Sequence, residues 1–246
     1  MPTKGKSALP LPLVVLALLA ACGSESSAPP TTTYQLVFTQ NPTRVTAGSV
    51  FSPPVQVELR DAQGHVVTNA ADFVAVRLFQ GDSDHTAALE GNIYKQPVNG
   101  VATFDDLNIK EARSGYVLTA HVAYSAAVSS DAFDVTAGAP STLLGGDIVF
   151  VCFGAGEANV AVMVADNFQN GIPDMPVTFT VTSGGGSIAS QTPSSGRTDS
   201  TGTSVATWIL GVGHGENDLA VHSSAVPNVS LKVVAVDTDD PDVCLD

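Results

Sequence analysis

Charged residues, aromatic residues and cysteines are all scarce in this chain of 246 residues. Only 14% of the residues are charged and 6% are aromatic, whereas valine, threonine, alanine, serine and glycine are abundant. So few charges provide little material for the polar faces of long surface helices, and the abundant residues favour short strands joined by polar turns. Because 44% of the residues are hydrophobic, the chain is too apolar to be disordered. Composition therefore predicts an all-β protein.

Basic residues are the scarcer of the two charge types, with ten lysines and arginines against 24 acidic residues and a formal net charge of −14. The imbalance is strongest in residues 136–246, which hold only Arg197 and Lys232 as basic side chains. An acidic surface is repelled by nucleic-acid phosphates and by anionic headgroups. We therefore expect no nucleic-acid partner, and the simplest interpretation of the acidity is a solubilising surface.

The most apolar stretch, residues 8–21, is too short for a membrane-spanning helix, which needs about 20 apolar residues. It follows two lysines and ends in small residues before Cys22, a pattern that predicts a secretory signal peptide over residues 1–21. Leu19-Ala20-Ala21-Cys22-Gly23-Ser24 resembles the lipobox of bacterial lipoproteins. The resemblance implies cleavage before Cys22, acylation of that cysteine and, because Gly23 is not aspartate, sorting to the outer membrane or cell surface.

Residues 22–33 are predicted to be a flexible linker after the acylated cysteine. Serine and glycine favour flexibility, and Pro29-Pro30 favours extension, so the segment is expected to hold the folded part away from the membrane. Two or more acyl chains would anchor the chain stably to the membrane. The alternative is an ordinary signal peptide in which Cys22 is incidental.

The chain has three cysteines, and two of them remain once Cys22 is acylated. An even pair in an oxidising compartment favours a disulfide, here between Cys152 and Cys244. Such a bridge would close a loop of about 92 residues and stabilise the fold by roughly 4–5 kcal/mol on the chain-entropy account. Without nearby histidines or further cysteines the pair is a poor zinc site, so no metal centre is expected.

The remaining length suits two domains of about 100 residues. We place the first domain at residues 34–137 and the second, with an acidic tail, at residues 138–246. Segments that alternate apolar and polar residues with a period of two recur in both, as half-buried strands do. Features that match at nearly constant offsets predict two copies of one fold. The pairs, 101 to 105 positions apart, are Asp61 with Asp166, residues 101–103 with 205–207, and Leu118 with Leu219.

Strand bounds are predicted from these alternations and from the turn residues between them, such as Asn99-Gly100. The glycines at 184–186 and 211–215 are predicted to form β-turns. The first domain is predicted to contain strands at 34–39, 55–60, 73–79, 91–94, 101–104, 116–123 and 130–135. The second is predicted to contain strands at 147–153, 160–166, 177–182, 203–210, 218–223 and 229–236.

Both predicted domains resemble bacterial immunoglobulin-like domains of the invasin/intimin type. The resemblance lies in residues 36–42, 57–64 and 99–107 of the first domain and in 166–186 and 199–207 of the second. It implies two tandem immunoglobulin-like β-sandwiches that act in adhesion, in binding or as spacers.

Tyr116 is the residue of this pattern with the most specific expected role. In immunoglobulin-like sandwiches a tyrosine two residues before the strand-F cysteine position hydrogen-bonds back to the chain. Tyr116 is then a structural latch and Leu118 a core residue. The second domain has Asn217 at the matching place, so we expect the tyrosine latch to be absent there and the Cys152–Cys244 bridge to compensate.

We identify no catalytic residues and expect no enzyme activity, no cofactor and no built metal site. The serines lack a Gly-x-Ser-x-Gly elbow, and no helical period follows the glycine-rich runs, as a phosphate-binding loop requires. The acidic tail lacks the spacing of an EF-hand loop, which leaves weak calcium binding as an alternative. The histidines are expected at the surface or in loops: His65, His85, His121, His214 and His222.

The leading hypothesis is a non-enzymatic lipoprotein, anchored through its N-terminal lipid, that binds an unidentified protein or surface glycan or serves as a spacer. Binding is expected in the loop 80–90 and in the Ser/Thr-rich stretch 187–197. One alternative is a structural envelope lipoprotein that docks a basic protein through its acidic second domain. A second alternative is an accessory module of a carbohydrate-active system. The chain has only Trp208 and four tyrosines that could stack on sugar rings.

Overall fold

Alternating apolar and polar residues form strands throughout the described part of the chain. The computed structural model describes residues 33–79, 87–145, 149–152, 156–211, 216–226 and 230–238. Their secondary structure consists of strands, bridges and turns, which confirms the all-β class. None of these residues belongs to a helix with the length and hydropathy of a membrane span.

The first sandwich consists of two sheets. One has the order β1-β3-β6, and the other has the order β2-β9-β7-β4-β5 with β8 paired to β7. The strands β2 and β9 pair in parallel, and the other pairs are antiparallel. The strands are β1 (Gln35–Gln40), β2 (Val45–Thr46), β3 (Val55–Arg60), β4 (Val74–Phe79), β5 (Tyr94–Lys95), β6 (Val101–Phe104), β7 (Arg113–His121), β8 (Val128–Ser129) and β9 (Phe133–Thr136).

The second sandwich repeats this arrangement. Its sheets have the orders β10-β12-β15-β14 and β11-β17-β16-β13, and again one edge pair, β11 with β17, is parallel. The fold is therefore two tandem immunoglobulin-like sandwiches, as predicted. The strands are β10 (Thr142–Gly145), β11 (Val149–Cys152), β12 (Glu157–Ala165), β13 (Thr178–Ser183), β14 (Gly186–Thr192), β15 (Thr203–Leu210), β16 (Glu216–His222) and β17 (Ser230–Thr238).

Each sandwich has its own hydrophobic core inside one compact unit, Thr33–Asp246. In β3 the inward residues Val55, Val57 and Leu59 are fully buried while the residues between them are partly exposed, as a strand with one face on a core requires. The matched residues Leu118 and Leu219 are also fully buried, one in each core. The boundary placed between residues 137 and 138 stays a prediction.

Four strands lie where the sequence pattern indicates none: β2, β8, β10 and β14. The strands β2 and β8 have two residues each and are too short to show a period. The strand β14 is a sheet edge whose side chains are nearly all exposed, so apolar and polar residues do not alternate along it. Ser187 to Thr192, the first part of the Ser/Thr-rich stretch in which binding is expected, belong to this strand. Gly184 and Gly185 form the link from β13 in one sheet to β14 in the other.

Candidate functional site at the junction of the sandwiches

The turn after β12 is organised by one buried carboxylate, that of Asp166, which is 2% exposed. Its Oδ1 atom accepts hydrogen bonds from the backbone N–H groups of Phe168 at 2.8 Å and Asn170 at 3.0 Å. Its Oδ2 atom accepts from the Gly138 N–H at 2.7 Å and from Nδ2 of Asn170 at 2.9 Å. The bond to Gly138 ties the turn to the segment that joins the two sandwiches.

These hydrogen bonds also set the ionisation of Asp166. Burial alone acts to raise the pKa of the carboxyl group, because it disfavours the charged form. The hydrogen bonds from the Asn170 side chain and from the N–H groups of Gly138, Asn170 and Phe168 favour the carboxylate and outweigh burial, so the pKa of Asp166 lies below its ordinary value. The turn therefore holds a charged, fully bonded carboxylate at neutral pH.

Asn170 joins the turn to the first sandwich. Its Nδ2 atom donates to the carbonyl oxygen of Lys110 at 2.8 Å, and its Oδ1 atom accepts from the N–H of Ala112 at 2.8 Å. One amide side chain thus satisfies a donor and an acceptor of the segment before β7, 58 to 60 residues away along the chain. Such a two-point contact fixes orientation as well as distance.

Phe168 supplies the apolar part of the junction. A Cβ atom at Gly48 would lie 2.5 Å from the Phe168 ring, so only glycine allows the ring to approach this closely. The Nζ atom of Lys110 lies 5.9 Å from the ring centroid and 2.8 Å from the carboxylate of Glu90. A cation over an aromatic ring at an exposed site is worth about 0.5–1 kcal/mol. Ring packing, a cation and the Asn170 bonds therefore act at the same place.

Two shallow clefts flank Phe168. One, of about 280 Å³, is lined by Glu90, Lys110 and Asn170 among others. The other, of about 230 Å³, is lined by Ala47, Gly138 and Asp166 among others. Both fall just below the volumes typical of small-molecule pockets, about 300–1,000 Å³. Within the described residues no group of three or more His, Cys, Asp or Glu side chains is placed to hold a metal ion.

The matching turn of the first sandwich begins at Asp61 and has the same internal hydrogen bonds, but it is not the turn that joins the two sandwiches. Oδ1 of Asp61 accepts from the N–H groups of Gln63 and His65, as Oδ1 of Asp166 does two and four residues on. His65 occupies the place of Asn170, and its side chain is 80% exposed. Sequence reasoning paired Asp61 with Asp166 but missed Asn170. The signal that was available is the change from Gln63 and His65 to Phe168 and Asn170 at the offset of 105.

The tyrosine latch is confirmed. Tyr116 is 6% exposed, and its hydroxyl donates to the Glu111 carbonyl at 3.2 Å, five residues upstream. Burial, helped by the Glu111 carboxylate and opposed by Arg113, raises the pKa of Tyr116 to about 12. In the second sandwich Asn217 is buried at the matching place, and its Oδ1 accepts from the Gly211 N–H at 3.0 Å. The tyrosine is absent there, as predicted, but a different latch replaces it.

The cysteine predictions are not tested by the structure. Residues 1–21, Cys22 and Cys244 lie outside the described residues. For Cys152 the backbone is described: it pairs with Thr238 across the parallel β11–β17 ladder. This register brings the strand of Cys152 beside the strand that leads to Cys244.

The other residues singled out from the sequence lie apart from the junction. His121 is half-buried on β7, and His222 is exposed on β16, while His85, His214 and the loop residues 80–86 lie outside the described residues. The acidic tail beyond residue 238 also lies outside them. Trp208 is fully buried in the second core, so its ring is not exposed for stacking on a sugar.

Comparisons with known proteins give a likeness of fold. No family model matches the chain, and no curated protein matches it. Among solved structures it is similar to InvD of Yersinia pseudotuberculosis, at 19% identity over 84% of this chain and 57% of InvD with a TM-score of 0.44. It is similar to invasin, a bacterial integrin-binding protein, at 19% identity over 85% of this chain and 40% of invasin with a TM-score of 0.36.

A glycosidase is also among the similar structures. A β-glycosidase from Bacteroides vulgatus matches at 12% identity over 83% of this chain and 24% of the glycosidase, with a TM-score of 0.36. This chain thus spans only part of each of these proteins. Identities and TM-scores this low do not bear on function, so the fold assignment rests on the chain's own sheets and cores.

Proposed function

We propose that this chain is a non-enzymatic, lipid-anchored module outside the cell, whose two sandwiches form a fixed pair that holds exposed loops and sheet edges away from the membrane. The observation that carries the proposal is the contact of Asn170 with the backbone of Lys110 and Ala112, reinforced by Phe168 against Gly48. A spacer can hold its far end at a defined position only if its two domains keep a fixed relative orientation. The junction supplies that constraint from side chains of the second sandwich.

The anchor is the part of the proposal that rests on the sequence, through Cys22 and the residues before it. Its test is expression of the wild-type chain and of Cys22→Ser in a bacterial host, followed by labelling with radioactive palmitate and membrane fractionation. The wild-type protein should incorporate label and sediment with membranes, and Cys22→Ser should do neither. If Cys22→Ser is processed and membrane-held as before, there is no lipid anchor.

Exposure outside the cell is tested separately, by treating intact cells with a protease or an impermeant amine label. The proposal expects modification of the wild-type chain without lysis. Protection on intact cells and modification only after lysis would place the sandwiches inside the envelope and remove the surface role.

A second candidate is docking of a protein partner through the acidic second sandwich. It is favoured by the charge of residues 136–246, where Arg197 and Lys232 stand against twelve acidic side chains. Arg197 is already paired with Asp174, which leaves the remaining acid less compensated. Charge-driven docking weakens as salt shortens the Debye length. A pull-down with the mature chain should then lose the partner at high salt, whereas a salt-resistant complex contradicts this candidate.

The carbohydrate-active alternative has less support from the side chains. The tryptophan that would be its best stacking platform is buried in the second core. The exposed rings of the described residues are those of Phe73, Phe79, Tyr94, Tyr124 and Phe168, and the last of these packs at the junction.

A further inference from the structure

Exposed large apolar side chains concentrate at one end of the first sandwich. We call this end the N-terminal pole and define it as Tyr34 with the loops 61–73, 96–100 and 122–127. It carries Val66, Phe73, Val98 and Tyr124, which are 40%, 58%, 72% and 79% exposed. Single exposed apolar residues are ordinary, whereas a cluster of them indicates a surface that is covered by something else.

Hydrogen bonds and register show that these loops lie at the same end. Gln35 pairs with Arg60, so the turn that follows β3 lies beside the start of β1. The N–H of Leu59 donates to the Gly100 carbonyl at 2.9 Å, which adds the loop 96–100. The β4–β7 pairing of Ala75 with His121 brings the residues before β4 and after β7 to this end as well.

The chain that precedes the sandwich enters at the pole. The backbone N–H of Tyr34 donates to Oγ of Ser125 at 2.8 Å, and the Tyr34 hydroxyl donates to Oδ2 of Asp72 at 2.9 Å. Tyr34 is thus held between the loop that carries Phe73 and the loop that carries Tyr124. A membrane or protein that binds the segment before Tyr34 would therefore lie close to the exposed rings of Phe73 and Tyr124.

The pole carries few uncompensated charges, because His65 in its first loop lies beside Asp61, and Arg60 and Lys95 at its border pair with Glu58 and Asp105. The three loops contain no lysine or arginine, and their acids are Asp61, which accepts from its own turn, and Asp72, which accepts from Tyr34. The rest of the exposed surface consists of alanines (Ala71, Ala123, Ala126 and Ala127) and of uncharged polar side chains such as that of Asn69. Such a surface suits neither an acidic partner nor an anionic headgroup. It suits a partner surface without net charge into which aromatic rings can insert.

We propose that the N-terminal pole rests on the zwitterionic headgroup region of the membrane that holds the chain, with Phe73 and Tyr124 inserted at the interface. This inference rests on the proposed lipid anchor at Cys22 and replaces the expectation that the linker 22–33 holds the first sandwich away from the membrane. Eleven residues separate Cys22 from Tyr34, which allows a span of at most about 40 Å. Tethering over so short a distance gives a high effective concentration of the pole at the bilayer. Aromatic side chains favour the region between headgroups and acyl chains.

The chain offers a matched pair of reporter positions. Phe73 directly precedes β4 and Phe79 is its last residue, so the two phenylalanines lie beyond opposite ends of the strand core, and both are 58% exposed. We would compare Phe73→Trp with Phe79→Trp in the acylated full-length protein, reconstituted into phosphatidylcholine vesicles with and without brominated acyl chains. The native Trp208 is buried in the second core and contributes the same background to both variants.

The expected result is a blue shift and bromine quenching of the Phe73→Trp emission, with neither effect in Phe79→Trp. A protein that floats with the vesicles but shows no shift at residue 73 overturns the inference and leaves the anchor intact. A protein that does not float overturns both. Equal shifts at the two positions mean general adsorption, and a concentration-dependent shift at residue 73 without vesicles means that a second copy covers the pole; either outcome overturns the inference.

Discussion

At the scale of single residues, the two copies of the fold differ where their surroundings differ. The position held by His65 in the first sandwich is exposed, and the same position in the second is Asn170, bonded to Lys110 and Ala112. The position of Tyr116 is taken by Asn217, which bonds to a glycine N–H instead of to a carbonyl. In both cases an asparagine replaces a ring, and its amide bonds to backbone groups that the ring at the matching place does not contact.

Tyr116→Phe should destabilise the first sandwich by about 0.5–1.5 kcal/mol, the usual net value of one hydrogen bond. The ring keeps its packing against Phe133, at 5.9 Å between centroids, so the loss comes from the hydroxyl bond to Glu111. Urea unfolding measures the change. Tyr124→Phe is the control, because Tyr124 is 79% exposed. Equal stability of Tyr116→Phe and the wild type would show that the latch contributes nothing.

The bonds to Asp166 should fail in acid. Its pKa is lower in the folded protein than the ordinary value of 3.8, so its contribution to stability is complete above that value and is lost as the pH falls through the folded pKa. Protonation makes the carboxyl group a weaker acceptor for the Gly138 N–H. The amide shift of Gly138, followed by NMR, should therefore titrate with a midpoint below 3.8. A midpoint above that value contradicts the stabilised carboxylate.

At the scale of elements, the crossing from β13 to β14 is constrained by a glycine. Gly184 has a φ of +76°, and a Cβ atom there would lie 2.6–2.7 Å from atoms of Asn217. The crossing can pass the start of β16 only because this position has no side chain. The same asparagine holds Gly211, so the two glycine-rich runs of the second sandwich meet at one buried residue.

Gly184→Ala should cost about 3 kcal/mol or more, because left-handed strain and overpacking add together. Gly196→Ala is the matched control: its φ is +71°, but nothing lies within 4 Å of the added atom. It should cost only about 1–2 kcal/mol from strain. Denaturant unfolding of the two variants measures the difference. Similar losses at the two positions would mean that the contact with Asn217 does not constrain the crossing.

Strand prediction worked where one face of a strand packs on a core. The strands at residues 55–60, 101–104 and 203–210 have the predicted bounds. Their alternate residues are buried, and this burial appears in the sequence as alternating apolar and polar residues. The edge strand β14 was missed because most of its side chains are exposed and only one apolar residue, Ile188, packs against the core. The junction was missed for a different reason. Asn170 meets Ala112 across 58 residues, and a polar turn residue carries no periodic signal that names its partner.

At the scale of the whole molecule, the disulfide between Cys152 and Cys244 stays a prediction. Cys152 pairs with Thr238, and the six residues from there to Cys244 span at most about 22 Å. A reducing agent should lower the Tm of the wild-type chain, in line with roughly 4–5 kcal/mol for a loop of this length. The same reducing agent should leave the Tm of Cys152→Ser unchanged. An unchanged Tm of the wild type under reduction would show that no stabilising bridge forms.

Whether the chain acts as a rigid spacer or as two independently moving domains depends on how firmly the two sandwiches contact each other. Domains joined by a small polar contact usually move relative to each other. Here Phe168 and the Asn170 amide act together, while Asp166 fixes the turn that carries both. Loss of Asn170 should leave both cores folded, because its bonds lie outside them.

The most direct measurement is a set of residual dipolar couplings from both sandwiches in the wild-type chain and in Asn170→Ala, with His65→Ala as the matched control. Couplings from the wild type and from His65→Ala should fit one alignment tensor, because the junction holds the sandwiches in one orientation. Asn170→Ala should need two tensors of different magnitude. Two tensors in the wild type, or one tensor in Asn170→Ala, would contradict a pair fixed by this turn.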